Sequence, residues 1–369
     1  MDLGRELYKK YDVIFIYCDF DSVDNFRRLL KYIREISPKV KIAVFGRLVS
    51  LVKSFFEKFE LDAIAVDGDY ECAIEEYILY LSGSHSKPKG LLVLNPLKKY
   101  MYYGKARYLT VEEFVFPDID EIPYEKYYEL YKIDQNRFCG IPNLKEFVVP
   151  ISRGCPIGCR FCEVPILQGK KERRWSVESV IKYINDSYNK KSFDYVSFYS
   201  AYFTFDQKWV FQLCNQLRQR GKISWKCTTV AKNLSYELLK AMADNGCFRI
   251  SIGLEILNFG KPNDLPSCKQ QNYNDLLRLQ ENLKKLNIEL NCFVILGLPQ
   301  STFSETKNTL DFLEMNRIRY RPTVYTPYLN INENANEFEL QNYNRQLLIN
   351  TNYTQCEKSE LYKYIFGRT

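Results

Sequence analysis

Apolar residues over positions 1–96 fall into two alternating kinds of run. Short continuous runs, YDVIFIY (11–17), KIAVFG (41–46), AIAVDG (63–68) and GLLVLNP (90–96), have the length of strands. Between them, NFRRLLKYIREI (25–36), LVSLVKSFFEKF (48–59) and ECAIEEYILYL (71–81) space their apolar residues three and four apart, which gathers them on one helical face. Alternating strand and helix predicts a small parallel sheet with helices on its faces.

Residues 97–146 break the pattern. KKYMYYGKARYLT predicts a hairpin turning at Gly104, and FPDIDEIPYEKYYELY carries Pro, acid and Tyr without a sustained period. This stretch reads as a linker. From 147 the alternation returns. Strands are predicted at 147–152, 193–200, 223–229, 248–255, 288–297 and 321–328, with helices at 177–186, 207–220, 236–246, 273–286 and 305–316. Arg220–Gly221 and Asn245–Gly246 supply helix-ending residues. Strands joined by helical crossovers make a partial barrel, whose functional end lies at the C-terminal ends of its strands. The fold class is therefore α/β, a partial (β/α)6 barrel preceded by a small, incomplete Rossmann-like parallel sheet. The expected domains are 1–96 (small sheet), 97–146 (linker), 147–328 (barrel) and 329–369, a helical tail closing the barrel.

No run of apolar residues is long enough to predict a spanning helix. The N-terminus lacks the apolar core and cleavage site of a signal peptide, so a cytoplasmic location is expected, without a membrane partner. The net charge of +7 comes from scattered Lys and Arg, apart from KKERR at 170–174, and reads as a solvated surface; nucleic acid is not expected as a partner. Of 12 cysteines, nine stand singly, several inside apolar runs such as FIYC and NCFVIL, where a thiol packs as a small hydrophobe. In a reducing compartment these are read as structural and unpaired.

The remaining three crowd into ISRGCPIGCRFCEVP (151–165), as Cys155, Cys159 and Cys162, at the C-terminal end of the first barrel strand. A disulfide would leave one thiol over. Zinc wants four ligands, usually as two close pairs, and His85 is remote in sequence. A chance buried cluster fits poorly with the surrounding glycines and charges. An iron–sulfur cube held by three thiolates leaves its fourth iron open for a ligand. Gly154 and Gly158 would relieve crowding where backbone passes the cluster.

C-x3-C-x-F-C after a first barrel strand resembles the radical S-adenosylmethionine (radical SAM) superfamily, with Phe161 at the usual aromatic position. NGCFRISIGLEI (245–256) resembles that family's fourth strand, IELNCFVILGLPQSTFSET (288–306) its fifth with the G-x-P turn, and TPY (326–328) its sixth-strand ending. The resemblance covers roughly 147–328. It implies a [4Fe–4S] cluster on Cys155, Cys159 and Cys162 whose open iron is chelated by SAM. Reductive cleavage then gives a 5′-deoxyadenosyl radical that abstracts hydrogen from substrate. It further implies cofactor contacts from Phe161 to adenine, Glu255 to a ribose hydroxyl and Leu298, within the G-x-P turn, near adenine. Two strand ends depart from the family pattern. Ser200 stands where a Gly- or Asp-rich turn is usual and would approach the methionine amino group. Thr229–Val230 stands where Thr-Arg is common, leaving the arginine's task unassigned, with Lys232 as a guess. Tyr199, Tyr202, Tyr325 and Tyr328 stand near predicted strand ends, as pocket lining or as packing.

YDVIFIY, KVKIAVFG and LDAIAVDGDYE resemble strands of the cobalamin-binding domain that precedes many radical SAM barrels, and IDEIPYEKYYELY resembles the linker after it. Two βα units that normally come first have no counterpart here, nor has a D-x-H-x-x-G motif, and a remnant domain is expected. Together these imply an enzyme acting on a small molecule or peptide in specialised biosynthesis, without cobalamin, reduced by a flavodoxin- or ferredoxin-type partner. The alternatives are a cobalamin-dependent methyltransferase and a non-catalytic iron–sulfur protein.

Overall fold

The computed structural model describes residues 3–133, 140–141, 143–219, 223–257, 265–343, 345, 347–349 and 351–366. Contacts divide the chain into two units. Unit 1 comprises Met1–Leu109, Phe161–Lys170 and Tyr325–Asn350; unit 2 comprises Thr110–Arg160, Lys171–Val324 and Thr351–Thr369.

Unit 1 is built on a sheet of β1 (Val13–Tyr17), β2 (Lys41–Phe45), β3 (Ala63–Ala65), β4 (Leu91–Leu94) and β5 (Tyr100–Tyr102), in that spatial order. β1 to β3 are parallel, as the alternation predicts, whereas β4 and β5 are each antiparallel to the strand before. The loop after helix Tyr70–Leu81 brings Gly90 to the C-terminal end of β3, where its carbonyl accepts from Val66 N at 2.8 Å. A loop of that length reaches either end of a strand, since each extended residue spans about 3.3 Å; the apolar run alone does not show direction. The hairpin turns at Asn95–Lys99 rather than at Gly104. Asn95 Oδ1 accepts from Leu97 N (3.0 Å) and Lys99 N (2.9 Å), and Lys98 takes a positive φ of 56°. Gly104 instead continues the pairing, its carbonyl accepting from Gly90 N at 2.8 Å.

Helix Val23–Ile36 buries Val23, Phe26, Leu30 and Ile33, the one-face spacing read from the sequence. The single helix expected over 48–59 is two, Arg47–Leu51 and Lys53–Glu57, broken where Val52 adopts φ −138° and ψ 59°. The break lets Phe55 and Phe56 both face inward, and Phe26 meets Phe56 edge-on at 5.2 Å. Each such fully buried ring contributes roughly 1.5–3 kcal/mol. Ala335 and Leu340, expected in a tail closing the barrel, lie in this core.

Unit 2 carries six parallel strands, β6 (Glu146–Pro150), β9 (Tyr195–Tyr199), β10 (Trp225–Thr229), β11 (Cys247–Glu255), β12 (Glu289–Leu296) and β13 (Arg319–Val324), adjacent in chain order. Two short strands, β7 (Ser152–Arg153) and β8 (Arg173–Arg174), pair antiparallel and close the ends of the cysteine-bearing loop. Five helices cross between the six strands: Val177–Lys190, Gln207–Arg218, Tyr236–Asp244, Tyr273–Lys285 and Phe303–Met315. Each starts on a side-chain cap, Ser176, Asp206, Ser235, Asn272 and Thr302, accepting from the backbone N–H three residues on. Such caps are worth about 1 kcal/mol apiece and explain why the sequence located these starts closely. The Asn245–Gly246 stop holds, with Gly246 at φ 96°. The Arg220–Gly221 stop, like Cys139, lies outside the described residues.

Candidate functional site

The parallel order of β6, β9, β10, β11 and β12 brings to one end of unit 2 the residues that follow each strand, which is where α/β sheets place their chemistry. Cys155 and Cys159 are buried, each 7% exposed, and Cys162 is half-buried. Gly154 and Gly158 take positive φ of 85° and 71°. An added Cβ at Gly158 would meet no protein atom within 4 Å, and its left-handed backbone by itself favours glycine. Burial pushes the Cys155 thiol up, while the Ile157 N–H and the charge of Lys269 favour its thiolate. Among the described residues no three His, Cys, Asp or Glu side chains converge as a single metal ion requires. A cube sets a different demand, one thiolate per iron. Phe161, half-buried, lies between the second and third of them.

Ser200, directly after β9, is buried and its Oγ has no hydrogen-bond partner. An orphaned hydroxyl of this kind costs about 1–3 kcal/mol, and a ligand polar group would relieve it. Thr229, at the end of β10, is engaged: its Oγ1 lies 2.6 Å from Thr204 Oγ1 and accepts from Thr204 N at 3.2 Å. It ties β10 to the turn after β9. Leu298 is buried and its carbonyl accepts from Ser301 N (2.9 Å) and Oγ (2.7 Å), fixing the turn that Gly297 opens at φ 75°.

Glu255 is the most unusual of these residues. It closes β11 with a positive φ of 61°, across a register shift between Gly253 and Glu255 against β12. A bulge at a strand end re-aims the side chain, and left-handed backbone at a non-glycine is held at a cost of about 1–2 kcal/mol. Its carboxylate is buried and pairs with Lys269 Nζ. The sequence marked Cys268 only as one more single cysteine and did not mark Lys269; both lie in the crossover after β11, where no strand-end motif points. The positive charge of Lys269 acts on Cys155, so this crossover lies near the first cysteine of the loop.

A second device was also missed. Arg174 and Glu172 form an ion pair, with side chains 7% and 6% exposed. Arg174 donates to the carbonyls of Phe203 (2.8 Å) and Tyr202 (2.9 Å), pinning the turn after β9 that carries Ser200. Of the four tyrosines, Tyr202 is buried in this turn and Tyr199 is exposed. Tyr325 and Tyr328 fall in unit 1, where Tyr328 lies beneath the Arg47 guanidinium at 4.2 Å. β13 ends at Val324, before TPY.

Unit 1 has its own cavity, of about 350 Å³, past the C-terminal ends of β2 and β3. Ser50, Ser54, Val66, Asp67 and Tyr102 are among its lining residues. His85, the chain's one histidine, is elsewhere, with Nδ1 3.2 Å from Glu76 Oε2.

Comparison with known proteins bears on this geometry. Residues 149–313 match the radical SAM superfamily. An uncharacterised methyltransferase of Pyrococcus horikoshii is 29% identical over 275 residues, 73% of this chain and 56% of that protein. Bacteriochlorophyllide d C-12(1)-methyltransferase of Chlorobaculum tepidum is 28% identical over 203 residues, 51% of this chain and 43% of that one. The chain thus spans about half the length of these curated relatives. Among solved structures, the radical SAM methyltransferase TsrM of Kitasatospora setae, with tryptophan and a SAM analogue, superposes with a TM-score of 0.68 at 13% identity, covering 89% of this chain and 67% of that one. The cobalamin-dependent SAM radical enzyme OxsB, with aqua-cobalamin, superposes with a TM-score of 0.64 at 18% identity, covering 99% of this chain and 50% of that one. Residues 149–313 are thus a radical SAM domain.

Proposed function

We propose that this protein is a cobalamin-dependent radical SAM methyltransferase acting on a small molecule. The observation that carries the reading is the reach of the likeness. The solved cobalamin-dependent enzyme matches over 99% of this chain, unit 1 included, and both curated relatives are named methyltransferases. The reading departs from the cobalamin-independent enzyme expected from the sequence.

In this reading Cys155, Cys159 and Cys162 hold a [4Fe–4S] cluster, Ser200 and Glu255 face SAM, and the Leu298 turn borders its adenine. The orphaned Ser200 Oγ and the buried Glu255 carboxylate support that assignment. The unit 1 cavity supports cobalamin. It lies at strand C-terminal ends, where open α/β sheets take ligands, and Ser50, Ser54 and Asp67 offer polar contacts to a nucleotide-like tail. His85 is not one of that cavity's lining residues, so in this reading cobalamin is held without a histidine ligand. Bound, the cluster supplies an electron received from a flavodoxin- or ferredoxin-type donor, and the corrinoid carries the methyl group. The chain's own residues position the cofactors and exclude water.

The test is anaerobic. Protein reconstituted with iron and sulfide is incubated with hydroxocobalamin, desalted and scanned for retained corrinoid absorbance, then turned over with SAM and a low-potential reductant. Retained corrinoid and formation of S-adenosylhomocysteine support the methyltransferase. 5′-Deoxyadenosine formation with no corrinoid retained would instead return the enzyme to the cobalamin-independent reading.

A further inference from the structure

We infer that Tyr353, in the C-terminal part of unit 2, is a positioning residue of the SAM site: its hydroxyl, acting through Ser301, holds the turn at Leu298 in the shape that borders adenine. The inference rests on the reading of that turn as the adenine border and extends it to a residue 52 positions beyond Ser301 in sequence.

The turn needs a hold from outside itself. It joins the end of β12 to helix Phe303–Met315. Gly297 and Gln300 take positive φ of 75° and 67°, and at Gln300, which carries a Cβ, left-handed backbone is strained. Pro299 and Gln300 are exposed, whereas Leu298 is buried. The Leu298 carbonyl accepts from both Ser301 N and Ser301 Oγ, so Ser301 is the residue that closes the turn.

Tyr353 completes a chain of hydroxyls. Its Oη lies 3.2 Å from Ser301 Oγ and 3.1 Å from Oγ1 of the fully buried Thr306. A hydroxyl has one proton to give. Ser301 gives its own to the Leu298 carbonyl, so Tyr353 donates to Ser301, and Thr306 donates to Tyr353. Bonds that run one way polarise one another, and the chain ends on the carbonyl that shapes the turn.

Tyr353 is itself fixed. Its ring meets Phe303 edge-on at 6.2 Å. It stands directly before Thr354, whose Oγ1 accepts from Glu357 N at 3.3 Å while Glu357 Oε2 accepts from Thr354 N at 2.7 Å, capping helix Gln355–Phe366. That helix is tied to helix Phe303–Met315 by Tyr364, which donates to Asp311 Oδ1 at 2.9 Å, and by the Lys307–Glu360 ion pair at 3.3 Å. Tyr353 acts on the ligand through the turn: without its hydroxyl, Ser301 loses a donor and the strained turn relaxes away from adenine.

The test uses cluster-loaded protein under anaerobic equilibrium dialysis with SAM and with 5′-methylthioadenosine, which share adenine and ribose and differ at the amino-acid end. Tyr353→Phe keeps the ring and removes the hydroxyl. Matched to the wild type in bound iron and sulfide, it should lose about three- to tenfold in affinity for both ligands, the worth of one hydrogen bond. Ser301→Ala should lose as much, and the double variant no more than the larger single loss, because both cut one chain. Ser301→Ala also gives the same contrast if the Phe variant fails to load its cluster. Tyr364→Phe cuts another hydroxyl contact of the same helix, away from the turn, and should bind both ligands as the wild type does. A loss for SAM alone, no loss for either ligand, or an equal loss in Tyr364→Phe overturns the role of Tyr353. A wild-type protein that binds neither ligand overturns the reading of the site itself.

Discussion

Arg47 and Glu163 form an ion pair across 2.6 Å within unit 1, and Glu163 directly follows Cys162. The Arg47 guanidinium also lies 4.2 Å over the Tyr328 ring and 5.2 Å over Phe20. The cysteine loop is thus tied down one residue past its third cysteine, by a cation that the first residue of a short helix presents. Glu163 Oε2 is buried without a hydrogen-bond partner, so Arg47 carries most of that carboxylate's compensation.

Arg47→Met should lower unfolding free energy by about 1–3 kcal/mol, less than a fully buried pair because both side chains retain some solvent contact. Arg47→Lys should recover only part, since an ammonium does not stack on Tyr328 as a planar guanidinium does. Urea denaturation checks both. Glu163→Gln combined with Arg47→Met should regain part of the loss; a fully additive double mutant would show the two residues uncoupled.

Cys155→Ala, Cys159→Ala and Cys162→Ala should each lower bound iron and sulfide after anaerobic reconstitution, measured colorimetrically per chain. Cys356→Ala, an exposed residue on helix Gln355–Phe366, should load as the wild type does. Equal loading of all four variants would remove the three-cysteine assignment.

Lys226 and Glu146 pair at 2.8 Å with side chains 7% and 5% exposed, on neighbouring regions of the unit 2 sheet. Lys226→Met should cost about 3–5 kcal/mol, because it removes one charge of a buried ion pair. Lys226→Met with Glu146→Gln should be less damaging than Lys226→Met alone. Thermal unfolding in the two variants decides between a coupled pair and two independent packing defects.

Gly46 and Gly83 separate two reasons for glycine. Both have positive φ, 130° and 79°, but a Cβ at Gly46 would stand 2.4 Å from the Cys18 carbonyl oxygen, whereas one at Gly83 meets nothing within 4 Å. Gly83→Ala should cost about 1 kcal/mol, for backbone conformation alone. Gly46→Ala should cost clearly more, because backbone must move. Matching losses in chemical denaturation would contradict this.

Gly253→Ala should leave stability nearly unchanged, since the atoms it crowds are the flexible ends of Lys269 and Glu255. It should nonetheless weaken SAM binding by displacing the pair. Unaltered affinity would show that the bare Gly253 is not needed for the ligand.

Local signals wrote most of this fold into the chain. Five crossover helices were legible because each begins on a side-chain cap and keeps its apolar residues on one face, which are effects within a few residues. The three cysteines were legible for the same reason, being spaced along a single short loop. What was illegible depended on direction or distance. The antiparallel run of β4, the turn at Asn95 and the break at Val52 follow from which neighbour a segment meets. The place of Leu340 in the core of unit 1 depends on a residue far along the chain. The site divides likewise. Sequence alone named Cys155, Cys159, Cys162, Ser200 and Glu255, each at or just past a strand end. Only the tertiary structure paired Glu255 with Lys269, engaged Thr229 with Thr204 and set Arg47 against Glu163, because a partner's identity is fixed by proximity in space and leaves no period or spacing along the chain.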